Sequence, residues 1–243
     1  MEISLQSLSD DRIRSMLEAG QMVLNCHRVL AKTGDTIVGE LLKDYEGFYE
    51  WKHYPRGDIY DPESHCQYYY HTHSIGDREA EHGHFHCFLD YDARPDGLMP
   101  ILMPPPDCDG DTETLTHLAG ISMDEMSIPI RLFTVNRWVT DEVLYNAPDM
   151  IGMVDSFEID TAKPSWPVNI WVSGMLQLYY PHVCELLTRR DQTFDKWLAD
   201  HPEQKPEEMW ENHDLEVTSV IDISVDDHIQ ALVAEAERRG IPV

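Results

Sequence analysis

Basic residues are scarce in this chain. Lys+Arg number 18 against Asp+Glu 45, a net charge of -27 over 243 residues. A field of that sign repels phosphate backbones and argues against a nucleic-acid partner. Its plain meaning is a solvated acidic surface, although an acidic mouth would also draw cations. Long apolar runs are missing: no stretch of about 18 apolar residues occurs, so no membrane-spanning helix is expected. The opening MEISLQSLSDDR has neither a basic leader nor an apolar core segment, so no secretory signal is expected. The cysteines are 5 in number, widely scattered and without a C-x-x-C pair. That excludes a disulfide framework and makes a reducing cytoplasm the expected location. There is no glycine-rich phosphate loop or dinucleotide fingerprint, and Ser122 and Ser173 lack a nucleophile-elbow context.

What is present points to a folded globule. Hydrophobic residues make up 42%, with Trp 6, Tyr 11 and Phe 6. The length suits one generous domain over 1–243. Residues 9–32 read as a helix capped by Ser9, with Asp10 and Asp11 in its first turn and an apolar stripe through Ile13, Met16, Leu17, Leu24, His27 and Leu30. A shorter helix is expected over 36–47. KHYPRGDIYDPES then reads as an ordered loop, because Pro55, Gly57 and Pro62 punctuate it.

From 65 to 137 the pattern is that of strands. HCQYYYHTH (65–73) and EHGHFHCFLDY (81–91) alternate and form a hairpin across 74–80. Residues 92–114 make a long Pro/Asp/Gly segment able to flank a site. THLAGISMD and IPIRLFTVNRW read as a second antiparallel pair. Residues 140–243 turn helical again. Thr140 is a cap candidate, and a long pattern over 168–199 should break at Pro181. LEVTSVIDIS is a further strand, and Gly240 stops a last helix. The expected fold is α+β: an antiparallel, curved or cupin-like sheet flanked by N- and C-terminal helices.

The segment HTHSIGDREAEHGHFHCF packs five histidines into eighteen positions, 71–88. Successive strand residues point to opposite faces. One face of the second strand therefore carries His82, His84, His86 and Phe88, and the other Gly83, Phe85, Cys87 and Leu89. On the first strand His71, His73 and Tyr69 share a face. Among the registers that bury Tyr70 with Cys87, which differ by slips of two residues and all preserve the cluster, one sets His71 opposite His84, His73 opposite His82 and Tyr69 opposite His86. Opposed Cβ atoms lie about 5 Å apart, which lets neighbouring imidazoles converge on one ion. A slip of one residue would destroy the cluster. His71, His73, His82, His84 and His86 are thus the candidate ligands of a divalent metal, iron or zinc.

Of the carboxylates, Glu81 alternates to the opposite face and is expected behind the ligands, unless it lies at the strand's frayed start. Asp77 and Glu79 in the turn have freer geometry. His117 joins if its strand lies beside the hairpin. The competing possibilities are a hydrogen-bonded histidine layer within a tyrosine-rich core and a histidine-lined organic or haem site. Tyr69 is a candidate donor to a bound ligand, and Arg56 a candidate partner for a substrate carboxylate. Asp107, Asp109 and Asp111 lack the frame of a calcium loop. Cys66 and Cys87 read as buried small hydrophobes.

The stretches HYPRGDIYD, QYYYH, EHGHFHCF and RLFTVNRWVT resemble a bacterial family known as a domain of unknown function, over most of the chain. That resemblance brings no activity with it. The H-x-H pair is also similar to that of cupin metal enzymes, by analogy alone. The expectation is a metal-dependent enzyme acting on a small molecule. Its rivals are a non-catalytic metal buffer and a structural protein, and a homo-oligomer is compatible with each.

Overall fold

In the computed structural model, residues 3–73, 80–103 and 114–242 are described. Asp77, Glu79 and the aspartates of 107–111 lie outside them. The fold is α+β, as expected. Its centre is one six-stranded antiparallel sheet in chain order. The strands are β1 (Tyr54–Asp61), β2 (Cys66–His71), β3 (Gly83–Asp90), β4 (Leu115–Met123), β5 (Pro129–Val135) and β6 (Val217–Asp222). The sheet is open at both edges and does not close into a cupin-like barrel.

Most of the helices pack on one face. The helices are α1 (Asp10–Ala31), α2 (Ile37–Leu42), α3 (Arg137–Thr140), α4 (Ala147–Ile151), α5 (Trp166–Leu178), α6 (Tyr180–Asp200), α7 (Pro206–Trp210) and α8 (Val225–Arg239). Ser9 caps α1 by accepting from the Arg12 amide at 3.2 Å, leaving Asp10 and Asp11 at the positive end of the helix dipole. The main core joins α1 and α5 to Tyr68, Tyr70, Phe85 and Cys87 of the hairpin. His27 belongs to this packing, where its Nε2 accepts from Trp171 Nε1 at 2.8 Å.

Two local expectations change, and the break expected at Pro181 falls just before it. HYPRGDIYD is an edge strand, not a loop. It pairs with β2 at Tyr54↔Tyr70 and again from Ile59↔Tyr68, and a bulge takes up the residues between. Gly57 (φ 86) and Asp58 (φ 54) supply the left-handed backbone of that bulge, and Pro55 is tolerated because an edge strand need not donate at every position. Thr140 ends α3 instead of opening a helix. The chain beyond it is extended, with Val143 N–H bonded to Leu115 O, and the cap falls to Asn146, whose Oδ1 accepts from Asp149 N–H. The helix expected over 168–199 is two: it breaks at Tyr179, and Pro181 sits in the first turn of α6, where its missing N–H costs nothing.

The hairpin register is the expected one, with His71↔His84, Tyr69↔His86 and Tyr68↔Cys87. Gly83 opens β3 because a Cβ there would stand 2.7 Å from both His71 O and Tyr70 Oη. On the next pair a bulge between Cys87 and Phe88 shifts the partners from Cys87↔Ala119 to Phe88↔His117. Without it His117 would oppose Leu89 and face the helices. With it, Leu118 and Ala119 both enter the core and His117 turns to the histidine face.

Candidate functional site

His71, His84, His86 and His117 are all buried side chains on one sheet face, outside the main helical core. The nitrogens of His71, His73 and His84 lie within 4.8 Å of one another. His71 Nε2 is 2.7 Å from His84 Nε2, and His84 Nδ1 is 2.6 Å from Glu81 Oε1. His86 Nδ1 meets His117 Nε2 at 2.9 Å, while its own Nε2 has no hydrogen-bond partner among the described residues.

These contacts order the protons. A carboxylate only accepts, so the Glu81 contact places a hydrogen on His84 Nδ1 and leaves the Nε2 lone pair facing His71. Either His71 Nε2–H donates to it, or both lone pairs turn to one cation. Two nitrogens each about 2.1 Å from one metal are separated by about 3.0–3.4 Å at ordinary coordination angles. The triad reaches that by a small opening of the His71–His84 pair and an inward shift of His73, which is only half-buried.

Electrostatics favour the neutral rings that a metal requires. Burial, reinforced by His84, His73 and His53, pushes His71 down to about 2. Burial, then His117 and the neighbouring rings, holds His86 well below its usual value. His117 falls to about 3, by burial first and then by Arg190 and His84. Behind it Glu142 accepts the His117 amide at 2.8 Å, and burial raises its carboxyl to about 7 against the pull of Arg190 and Arg137.

His82 is the correction. It was expected beside His84 but sits on the helix side, where its Nδ1 is 2.8 Å from Tyr70 Oη and its ring stacks on Phe48. The ladder begins at Gly83, so alternation does not extend to residues 81 and 82. The same irregularity brings Glu81 round to His84, its side chain 6% exposed. His73 also lies beyond the ladder, yet its ring stays with the cluster, 5.0 Å from His71 and 5.1 Å from His84. Cys66 and Cys87 are buried free thiols, held protonated mainly by burial.

His71 and His73 of the triad border a cavity of about 480 Å³, lined also by Trp51, His53, Tyr69, Phe88 and Trp138 among others, while His84 lies behind them. Tyr69 stacks on His53 with ring centres 3.7 Å apart and stands edge-on to His71 at 5.1 Å. Arg56 is not part of this lining. It lies in an outer groove with Tyr45 and Lys52, which meets the cavity at His53, Asp58 and Gln67. The sequence had not singled out Trp51, which stacks on His73 at 4.5 Å and 13°. Its one signal was position, just before the HYPRGD stretch. Trp138 comes from 65 residues beyond His73, and no spacing rule links the two. Such a set of neutral imidazoles, open on one side, can hold a first-row divalent ion with positions left for water or substrate.

No curated protein and no solved structure matches the chain. A family model described as a domain of unknown function (DUF6969) matches residues 17–223. That span is most of the chain and carries both the histidine hairpin and its neighbouring strands, so the protein belongs to this family.

Proposed function

We propose that the protein is a metal-dependent enzyme that binds one divalent ion, iron or zinc, at His71, His73 and His84 and acts on a small molecule in the adjoining cavity. The observation that carries this reading is the chain Glu81–His84–His71. A carboxylate fixes the tautomer of an imidazole whose other nitrogen faces His71, with His73 in the same group of nitrogens, an arrangement that commonly orients metal-bound histidines. A bound ion would supply Lewis acidity toward a water or a carbonyl.

The chain's own residues supply the rest. Glu81 keeps the His84 Nε2 lone pair aimed at the centre. Tyr69, against His71 and His86, offers its phenol to a bound molecule. Phe133 shields the inner side, edge-on to His84 at 5.3 Å and His86 at 5.7 Å. His86 and His117 extend the imidazole layer inward, and the free Nε2 of His86 is a further nitrogen available to the centre. The free thiols of Cys26, Cys66, Cys87 and Cys184 fit a reducing compartment such as the cytoplasm.

A buffering protein would take up several ions and need no organic-sized cavity. Elemental analysis of the purified protein, beside His84→Ala, separates the readings. About one iron or zinc per chain, lost in His84→Ala, is expected. Metal content unchanged by that substitution overturns the ligand set, and several ions per chain favours buffering.

A further inference from the structure

The cavity above the triad has a chemical bias of its own. None of its described lining residues is lysine or arginine, whereas Asp58, Asp141 and Glu216 all border it. The charges of these three are not cancelled. Asp58 is met by the His53 ring at 3.0 Å and the Gln67 amide at 3.2 Å. Asp141 shares the single guanidinium of Arg137 with Glu211, so that trio stays negative. Glu216 makes no side-chain ion pair among the described residues. Asp141 is 79% exposed at its side chain, which puts this charge at the rim and not among the imidazoles.

The walls are aromatic. Trp51 packs against His73 yet remains 68% exposed. Its backbone is left-handed (φ 62) and is held by an N–H bond to Thr72 O at 2.9 Å. An exposed tryptophan in that conformation adds little to a core and carries backbone strain. Its usefulness is as a flat π-face at the mouth. Trp138 is fixed in place by an indole N–H bond to Leu215 O at 3.1 Å and a stack on His213 at 4.2 Å. Aromatic faces beside carboxylates attract organic cations, by ring quadrupole and by charge. The overall charge of -27 adds long-range attraction of the same sign.

We propose that this cavity selects a small organic cation, an amine protonated at neutral pH or a quaternary ammonium, and discriminates against carboxylates and phosphates. The inference rests on reading the cavity as the substrate site of the triad. In this arrangement the cationic head lies at the Trp51–Trp138–Glu216 mouth, and an uncharged donor end reaches the imidazoles. The basic side chains of the outer groove, Lys52 and Arg56, stay outside that mouth.

Three probes of nearly equal size test it: 2-phenylethylamine, 2-phenylethanol and phenylacetate. Binding is followed by tryptophan fluorescence on the chelator-treated protein and on protein loaded with one equivalent of zinc. In chelator-treated protein the amine should bind about tenfold tighter than phenylacetate and several-fold tighter than the alcohol, as one ion pair and one cation–π contact would give. Glu216→Gln should weaken the amine several-fold and leave the alcohol unmoved. Asp141→Asn, at an exposed side chain, should act in the same direction if the first variant folds poorly. Phenylacetate binding as tightly as the amine without zinc, or none of the three binding at millimolar concentration, overturns the proposal. Zinc stoichiometry is measured separately: a protein that keeps the amine preference but takes up no zinc retains this inference and loses the metal reading.

Discussion

Glu81 Oε1 lies 2.6 Å from His84 Nδ1, with both side chains almost fully buried. The contact joins a residue outside the strand to one inside it and decides which imidazole nitrogen of His84 faces its neighbours. Outer carboxylates of this kind tune affinity without supplying a metal bond.

Glu81→Ala should therefore lower zinc affinity by about 10- to 100-fold while the stoichiometry stays at one. Competition against a chromophoric chelator measures this. Unaltered affinity would mean that Glu81 plays no part in orienting His84.

His71 and His82 should separate cleanly. His71→Ala should abolish stoichiometric metal uptake. His82→Ala should leave uptake intact and cost about 1–2 kcal/mol of stability through the lost Tyr70 hydrogen bond and Phe48 stacking. Loss of metal in the His82 variant would contradict its position on the helix side.

Acid should destabilise the chelated protein. His117 and His182 are each held down to about 3 from 6.5, chiefly by burial, with Arg190 assisting at His117 and His228 at His182. Below about pH 6.5 the unfolded chain takes up protons that the folded chain does not, so stability present above 6.5 is lost as pH falls toward 3. Glu142 has the opposite sign: raised to about 7 from 4.5, it holds its proton in the folded state, and its contribution falls as pH rises through that window. Two imidazoles against one carboxyl leave a net loss on the order of 1 kcal/mol per pH unit between pH 6 and 5. Urea midpoints at pH 7, 6 and 5 check the slope, and a rising midpoint would show that these rings are not buried neutral.

Gly120 lies beneath Phe133, whose ring fills the space that a Cβ would need. Gly120 pairs with His86 on one side and Phe133 on the other. Gly120→Ala should cost about 1–3 kcal/mol by overpacking and push Phe133 toward His84 and His86. A thermal melt beside the zinc titration should show both stability and affinity reduced. An unchanged pair of values would mean that Phe133 has an alternative resting place.

Period-two alternation was enough to place His71 and His84 on one face and to bury Tyr70, Phe85 and Cys87 on the other, because a strand with one face on a core cannot slip by a single residue. The α+β class and the ends of α1 and α8 were also legible, since Ser9 and Gly240 act locally on their own helices. What the sequence could not decide lies where the backbone leaves regular geometry. Alternation failed at His82 because the ladder stops at Gly83, and His117 reached the site through a bulge that no residue type announces. Pro55 and Gly57 suggested a loop, yet pairing with β2 made an edge strand of it. Trp138 and Glu216 border the cavity from distant parts of the chain, placed there by packing of the sheet and its connections. Local sequence sets which side chains can share a face. Only the tertiary fold sets where a face ends and what comes to stand over it, because those depend on contacts between residues that no local pattern relates.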